Sequence, residues 1–140
     1  MTQDATVREL MNAVGLEYLL DRLDEEAPWQ RILSGGECQR IAFVRLMLHR
    51  PDIVVLDEAT SALDLDSQKK LMELVMERLP KTTVISIGHR PELEAYHYRK
   101  LVFERRPGGA RLMTDTKLRG LDAAGFFTKL AETFRRTWKR

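Results

Sequence analysis

Apolar residues recur at spacings of three and four from Thr6 to Leu23: Val7, Leu10, Met11 and Val14, then Leu16, Leu19, Leu20 and Leu23. That period is helical, and Gly15 breaks it, so two short helices are predicted. Asp24, Glu25, Glu26, Ala27 and Pro28 form an acidic link towards Trp29 and Ile32. Ser34 and Glu37 then stand three apart, the spacing of a capping box. The helix they open runs through Ile41, Val44, Arg45 and Leu48 until Pro51 stops it. Ile53 to Leu56 is a continuous branched apolar run closed by Asp57 and Glu58. Such a run predicts a strand buried on both faces of a parallel sheet. Asp64 and Asp66 offer caps for a helix from about Leu65 to Leu79, with Met72, Val75, Met76 and Leu79 on one face. Pro80 and Lys81 close it, and Thr82 to Ile87 is the next strand. Strand, helix and strand make a βαβ unit, expected to be right-handed. Lys100 to Glu104 and Arg111 to Thr114 flank Pro107, Gly108 and Gly109, which predicts a hairpin or turn at the sheet's edge. From Asp122 onward, Ala123, Phe126, Phe127, Leu130, Ala131, Phe134 and Trp138 return to helical spacing. That stripe reads as a face for the domain's own core, with a partner site as the alternative.

The order of these elements suits one modest α/β domain, and 140 residues are enough for it. The net charge of +2 argues for neither nucleic acid nor an acidic partner. Basic residues do gather at the end, in Arg135, Arg136, Lys139 and Arg140, where a solvated tail is the plain reading. Cys38 is the single cysteine, so no internal disulfide forms, which suits a reducing compartment. No apolar run reaches the roughly 20 residues of a membrane helix, and the polar start is no signal peptide. The expectation is a soluble chain, or one held at a membrane through a partner.

Three features point to phosphate chemistry. Gly35 and Gly36 fall in the first turn of a helix, where bare backbone lets an anion approach the free N–H groups at the positive end. In a parallel sheet, ligands bind beyond the carboxyl ends of the strands, which is where Asp57, Glu58 and, after the second strand, His89 are expected. One acid there can hold Mg²⁺ through water, and a second can orient or deprotonate an attacking water. Taken singly, each feature has a plain alternative: an ordinary helix start, a turn cap, a structural histidine. The conjunction, in this order and spacing, is what favours a nucleotide site.

The runs LSGGECQR (from Leu33), IVVLDEATSALD (from Ile53) and GHR (from Gly88) resemble the nucleotide-binding domain of ABC transporters, over nearly the whole chain. That resemblance implies an α/β fold: a partial P-loop NTPase-like parallel sheet flanked by helices. Residues 1–50 would belong to the helical, signature-bearing subdomain, 51–115 to the α/β part, and 116–140 to a C-terminal helix. It implies that Leu33, Ser34, Gly35, Gly36 and Glu37 form the signature motif, which touches an ATP held by a second nucleotide-binding domain in a head-to-tail dimer. It implies Asp57 as the Walker B aspartate serving Mg²⁺, Glu58 as the catalytic glutamate, Ser61 to Asp64 as the D-loop, and His89 as the switch histidine. The cofactors would be ATP and Mg²⁺, and the partners a second nucleotide-binding domain and a transmembrane domain, with no nucleic acid. The place would be the cytoplasmic side of the inner (plasma) membrane. The wording EATSALD is similar to transporters with fused membrane and ATPase domains, and GHRPELEAYHYRKLVFE to the peroxisomal fatty-acyl type and its bacterial relatives.

The phosphate-cradling run G-x-x-x-x-G-K-[ST] does not occur in these residues. Gly120 and Gly125 have the glycine spacing, but Phe126 stands where the lysine belongs. The expectation is therefore the C-terminal part of such a domain, lacking the N-terminal Walker A strand, loop and helix, and inactive by itself. The alternative is a non-catalytic module that lends its signature motif to an intact partner.

Overall fold

The computed structural model of the chain describes residues 3–118. The predicted helix from Asp122 and the basic tail lie outside the described residues. Two compact units are present, divided between Gly88 and His89.

The first unit opens with helix α1 (Gln3–Ala13). Gly15, at φ 72°, ends that run, and a 3-10 helix (Glu17–Arg22) follows, as the broken periodicity predicts. A single helical turn, α2 (Trp29–Ile32), leads into α3 (Gly35–His49). The chain then forms β1 (Ile53–Asp57), α4 (Leu65–Arg78) and β2 (Thr83–Ile87). β1 and β2 pair in parallel, with Ile53 opposite Thr83 and Asp57 opposite Ile87. The boundaries follow local chemistry. Ser34 caps α3, Arg50 closes it in the left-handed conformation at φ 46°, and Asp64 caps α4 by accepting from Ser67 N–H at 2.8 Å.

The core of this unit is largely helical. Its buried apolar residues are Leu10, Met11, Val14, Leu16 and Leu19, Phe43, Val44 and Met47 of α3, Leu56 of β1, and Leu71, Met72 and Val75 of α4 with Leu79 just after it. The strand differs from the expectation in one respect. It is not buried on both faces: Ile53 is 63% and Val55 56% exposed, and across the register Ile85 is 48% and Ile87 53% exposed. Exposure alternates along both strands, so the described helices cover one face and leave an apolar opposite face uncovered among the described residues.

In the second unit, a 3-10 helix (Pro91–Tyr96) precedes β3 (Arg99–Arg106) and β4 (Gly109–Lys117). These strands pair antiparallel across the turn at Pro107 and Gly108, with a register shift between Val102 and Phe103. The hairpin is the one predicted, but it forms its own two-stranded sheet instead of extending the edge of β1 and β2. An Arg99–Asp115 pair bridges its strands through hydrogen bonds of 2.7 and 2.6 Å.

Candidate functional site

The site in the first unit is built where the start of α3 meets the loop after β1. Leu33 closes α2 by donating to the Trp29 carbonyl at 2.9 Å. Ser34 and Glu37 make a complete capping box: Glu37 N–H donates to Ser34 Oγ at 3.3 Å, and Ser34 N–H donates to the Glu37 carboxylate at 2.6 Å. The Tyr18 hydroxyl also donates to Glu37, from the 3-10 helix. These donors, Tyr18 first and then the Ser34 backbone N–H, hold the Glu37 carboxyl down at about 2. The negative charge therefore stays at the positive end of α3 at any physiological pH.

Gly35 and Gly36 leave little room for a side chain. A methyl group on Gly35 would sit 3.3 Å from Ala62 Cβ, and one on Gly36 would sit 3.3 Å from the Ala62 carbonyl and 3.4 Å from Leu63 Cδ2. The glycine turn is thus packed against the backbone of the loop that follows Asp57 and Glu58.

That loop is fixed at its start. Asp57, the last residue of β1, is exposed. Glu58 is also exposed and adopts φ 47°, a left-handed conformation that is uncommon for a residue with a side chain. Its N–H donates to the Ile87 carbonyl at 3.0 Å, and its carbonyl accepts from Ser61 N–H at 3.0 Å. Further along, Thr60 and Gln68 are buried and bonded to each other at 2.8 Å. Asp64 accepts from Ser67 N–H and, at 2.7 Å, from Ser67 Oγ, and these bonds lower its pKa.

Ser34 to Glu37, Asp57, Glu58 and Ser61 to Asp64 thus lie on one helix–strand–loop assembly. The carboxylates of Glu37 and Asp64 are engaged as caps. His89 stands two residues beyond Ile87 and opens the second unit. Among the described residues, no group of three or more His, Cys, Asp or Glu side chains could hold a metal. Asp57 and Glu58 are exposed carboxylates at the carboxyl end of β1, oxygen donors of the class that Mg²⁺ takes in ones or twos alongside water and phosphate.

Sequence reasoning missed two residues here. Gln39, within α3, bonds to the loop, and Tyr18 bonds to Glu37. Nothing in local spacing signals either contact, because each bridges residues about twenty apart in the chain.

The geometry has clear counterparts. The ABC transporter family profile matches residues 2–61. An uncharacterized ABC transporter ATP-binding protein of Haemophilus influenzae is 44% identical over 96 residues, which cover 69% of this chain and 16% of that protein. The chain belongs to the ABC transporter ATP-binding family.

Within that family, the lysosomal cobalamin transporter ABCD4 of Mus musculus is 37% identical over 120 residues, 82% of this chain and 19% of that protein. Among solved structures, a bacterial Atm1-family ABC exporter with ATP bound aligns with 97% of this chain and 24% of its own, with a TM-score of 0.63 and 25% identity. The chain therefore spans less than a fifth of the length of these curated relatives. Its fold is the α/β fold of ABC domains. No helix among the described residues is long and apolar enough to cross a membrane.

Proposed function

We propose that this chain is the signature- and Walker B-bearing part of an ABC transporter ATPase, which couples ATP hydrolysis to transmembrane transport. The observation that carries the reading is the contact of the capped glycine turn with the loop after Asp57 and Glu58. It holds an anion-facing helix start and a pair of carboxylates on one rigid piece. In this reading Leu33 to Glu37 face an ATP held by a second nucleotide-binding domain. Asp57 takes Mg²⁺ through water, Glu58 orients the attacking water, Ser61 to Asp64 meet the partner, and His89 contacts the γ-phosphate. The transmembrane partner holds the assembly at the cytoplasmic face of a membrane.

These 140 residues contain no G-x-x-x-x-G-K-[ST] run. Without that loop and its lysine, phosphate binding rests on the carboxylates' metal and a histidine, so the chain by itself binds ATP weakly and turns it over negligibly. Magnesium-dependent hydrolysis by the purified chain, abolished by Glu58→Gln, would overturn this.

The capped glycine turn, complete on its own, allows a second reading: a module that serves an intact partner domain by lending its signature motif. Capture of an intact nucleotide-binding domain, with and without ATP, separates the two. If the chain only donates the motif, Ser34→Arg and Gly36→Asp abolish ATP-dependent stimulation of the partner and Glu58→Gln leaves it intact.

A further inference from the structure

Gln39 lies in the second turn of α3 and is half-buried. Its amide nitrogen donates to the Glu58 carbonyl at 3.3 Å and to Ser61 Oγ at 3.2 Å. Its amide oxygen accepts from Ala62 N–H at 3.1 Å. The orientation of the amide is fixed by its partners. A backbone N–H can only donate and a backbone carbonyl can only accept, so turning the amide over would break both contacts.

The residues so joined are the ones with least freedom to be elsewhere. Glu58 is left-handed, with its N–H already bonded to Ile87 of β2. Ala62 is the residue against which Gly35 and Gly36 pack. One side chain of α3 therefore grips both ends of the turn from Glu58 to Ala62, and the glycines close over the far end.

We propose that Gln39 is a positioning residue. It fixes the Glu58–Ala62 turn to the helix that carries the glycine motif, so that the carboxylate end of one ATP half-site and the glycine end of the other move as one body. The functional part of this inference rests on the half-site reading above; the mechanical part does not. Without Gln39, the left-handed conformation at Glu58 loses one of its restraints, and the Glu58 carboxylate samples directions away from the site.

Residue-resolved amide exchange on the whole chain tests it. In Gln39→Ala and in the shape-preserving Gln39→Met, the Ala62 amide should exchange about tenfold faster, the scale of a lost hydrogen bond. The Met47 amide in the body of α3 should change by less than the Ala62 amide. Gln39→Glu keeps an acceptor for Ala62 and loses the donors to the Glu58 carbonyl and Ser61 Oγ, so it should restore the Ala62 amide. Unchanged Ala62 exchange in both Gln39→Ala and Gln39→Met overturns the proposal. So does an equal loss of protection along all of α3, which would make Gln39 a general packing residue. In a second arm, ATP-dependent association with an intact nucleotide-binding domain should weaken about tenfold in Gln39→Met, and equal association overturns the functional part. If the unsubstituted chain shows no such association, the half-site reading fails, while the exchange arm still decides whether Gln39 holds the turn.

Discussion

At the scale of single residues, Glu37 shows how a motif position can carry two loads. Its carboxylate completes the cap of α3 and receives the Tyr18 hydroxyl. Its pKa falls from 4.5 to about 2, with Tyr18 as the largest cause. A depressed carboxyl stabilises the fold above its unfolded pKa and loses that contribution as pH falls through its folded one. The Glu37 share of stability should therefore be complete above about pH 4.5 and disappear on acidification towards about 2. Carbon chemical shifts of the Glu37 carboxyl, followed against pH, should give a midpoint of about 2. In Tyr18→Phe the midpoint should rise and yet remain below 4.5, because the Ser34 donors persist. A midpoint unmoved by Tyr18→Phe would mean that the capping box alone sets it. The box itself is legible in the sequence, since its partners are three residues apart. Tyr18 is not legible, since it arrives from a separate helix.

At the scale of elements, the loop between β1 and α4 is held from both sides. Gln39 holds it from α3, and the Thr60–Gln68 bond ties it to α4. Gln68 is 1% and Thr60 5% exposed, so neither can exchange its partner for water. Gln68→Leu should strand the Thr60 hydroxyl in the core and cost about 1–3 kcal/mol in urea denaturation. The pair Thr60→Val with Gln68→Leu should cost less than the sum of the single changes, since it leaves no orphaned hydroxyl. Additive costs would show that the hydroxyl finds another acceptor. The elements themselves were readable because each declares its period and its ends: Gly15 breaks the first helix, Asp64 caps α4, and Pro107 with two glycines turns the hairpin. The Gln39 contact was not readable, because a glutamine in a helix carries the same local signal whether it meets water or a loop. The faces of β1 were misjudged for a related reason. The unbroken apolar run Ile53, Val54, Val55 and Leu56 states that both faces tolerate burial, and says nothing of what arrives to bury the second.

At the scale of the whole molecule, the face of β1 and β2 left uncovered among the described residues bears on behaviour in solution. Ile53, Val55, Ile85 and Ile87 form a contiguous apolar surface, with Val55 directly opposite Ile85. Among the described residues, β1 and β2 each pair only with the other, which leaves their outer edges without a strand partner there. An apolar face next to open edges is a template for association between copies. The chain should therefore show concentration-dependent light scattering. Val55→Lys combined with Ile85→Glu places opposite charges across the register, preserves the pairing and removes the apolar match at the centre of the face. This double variant should stay monodisperse at concentrations where the unsubstituted chain associates. It should also keep the same melting transition, because neither side chain contributes to the buried core. Were association to persist in the double variant, the strand edges would be its cause instead of the face. Ile53→Pro would then be the decisive change: the parallel register turns the backbone of Asp52, Val54, Leu56 and Glu58 towards β2, so the N–H of Ile53 lies on the outer edge and its loss leaves the pairing intact.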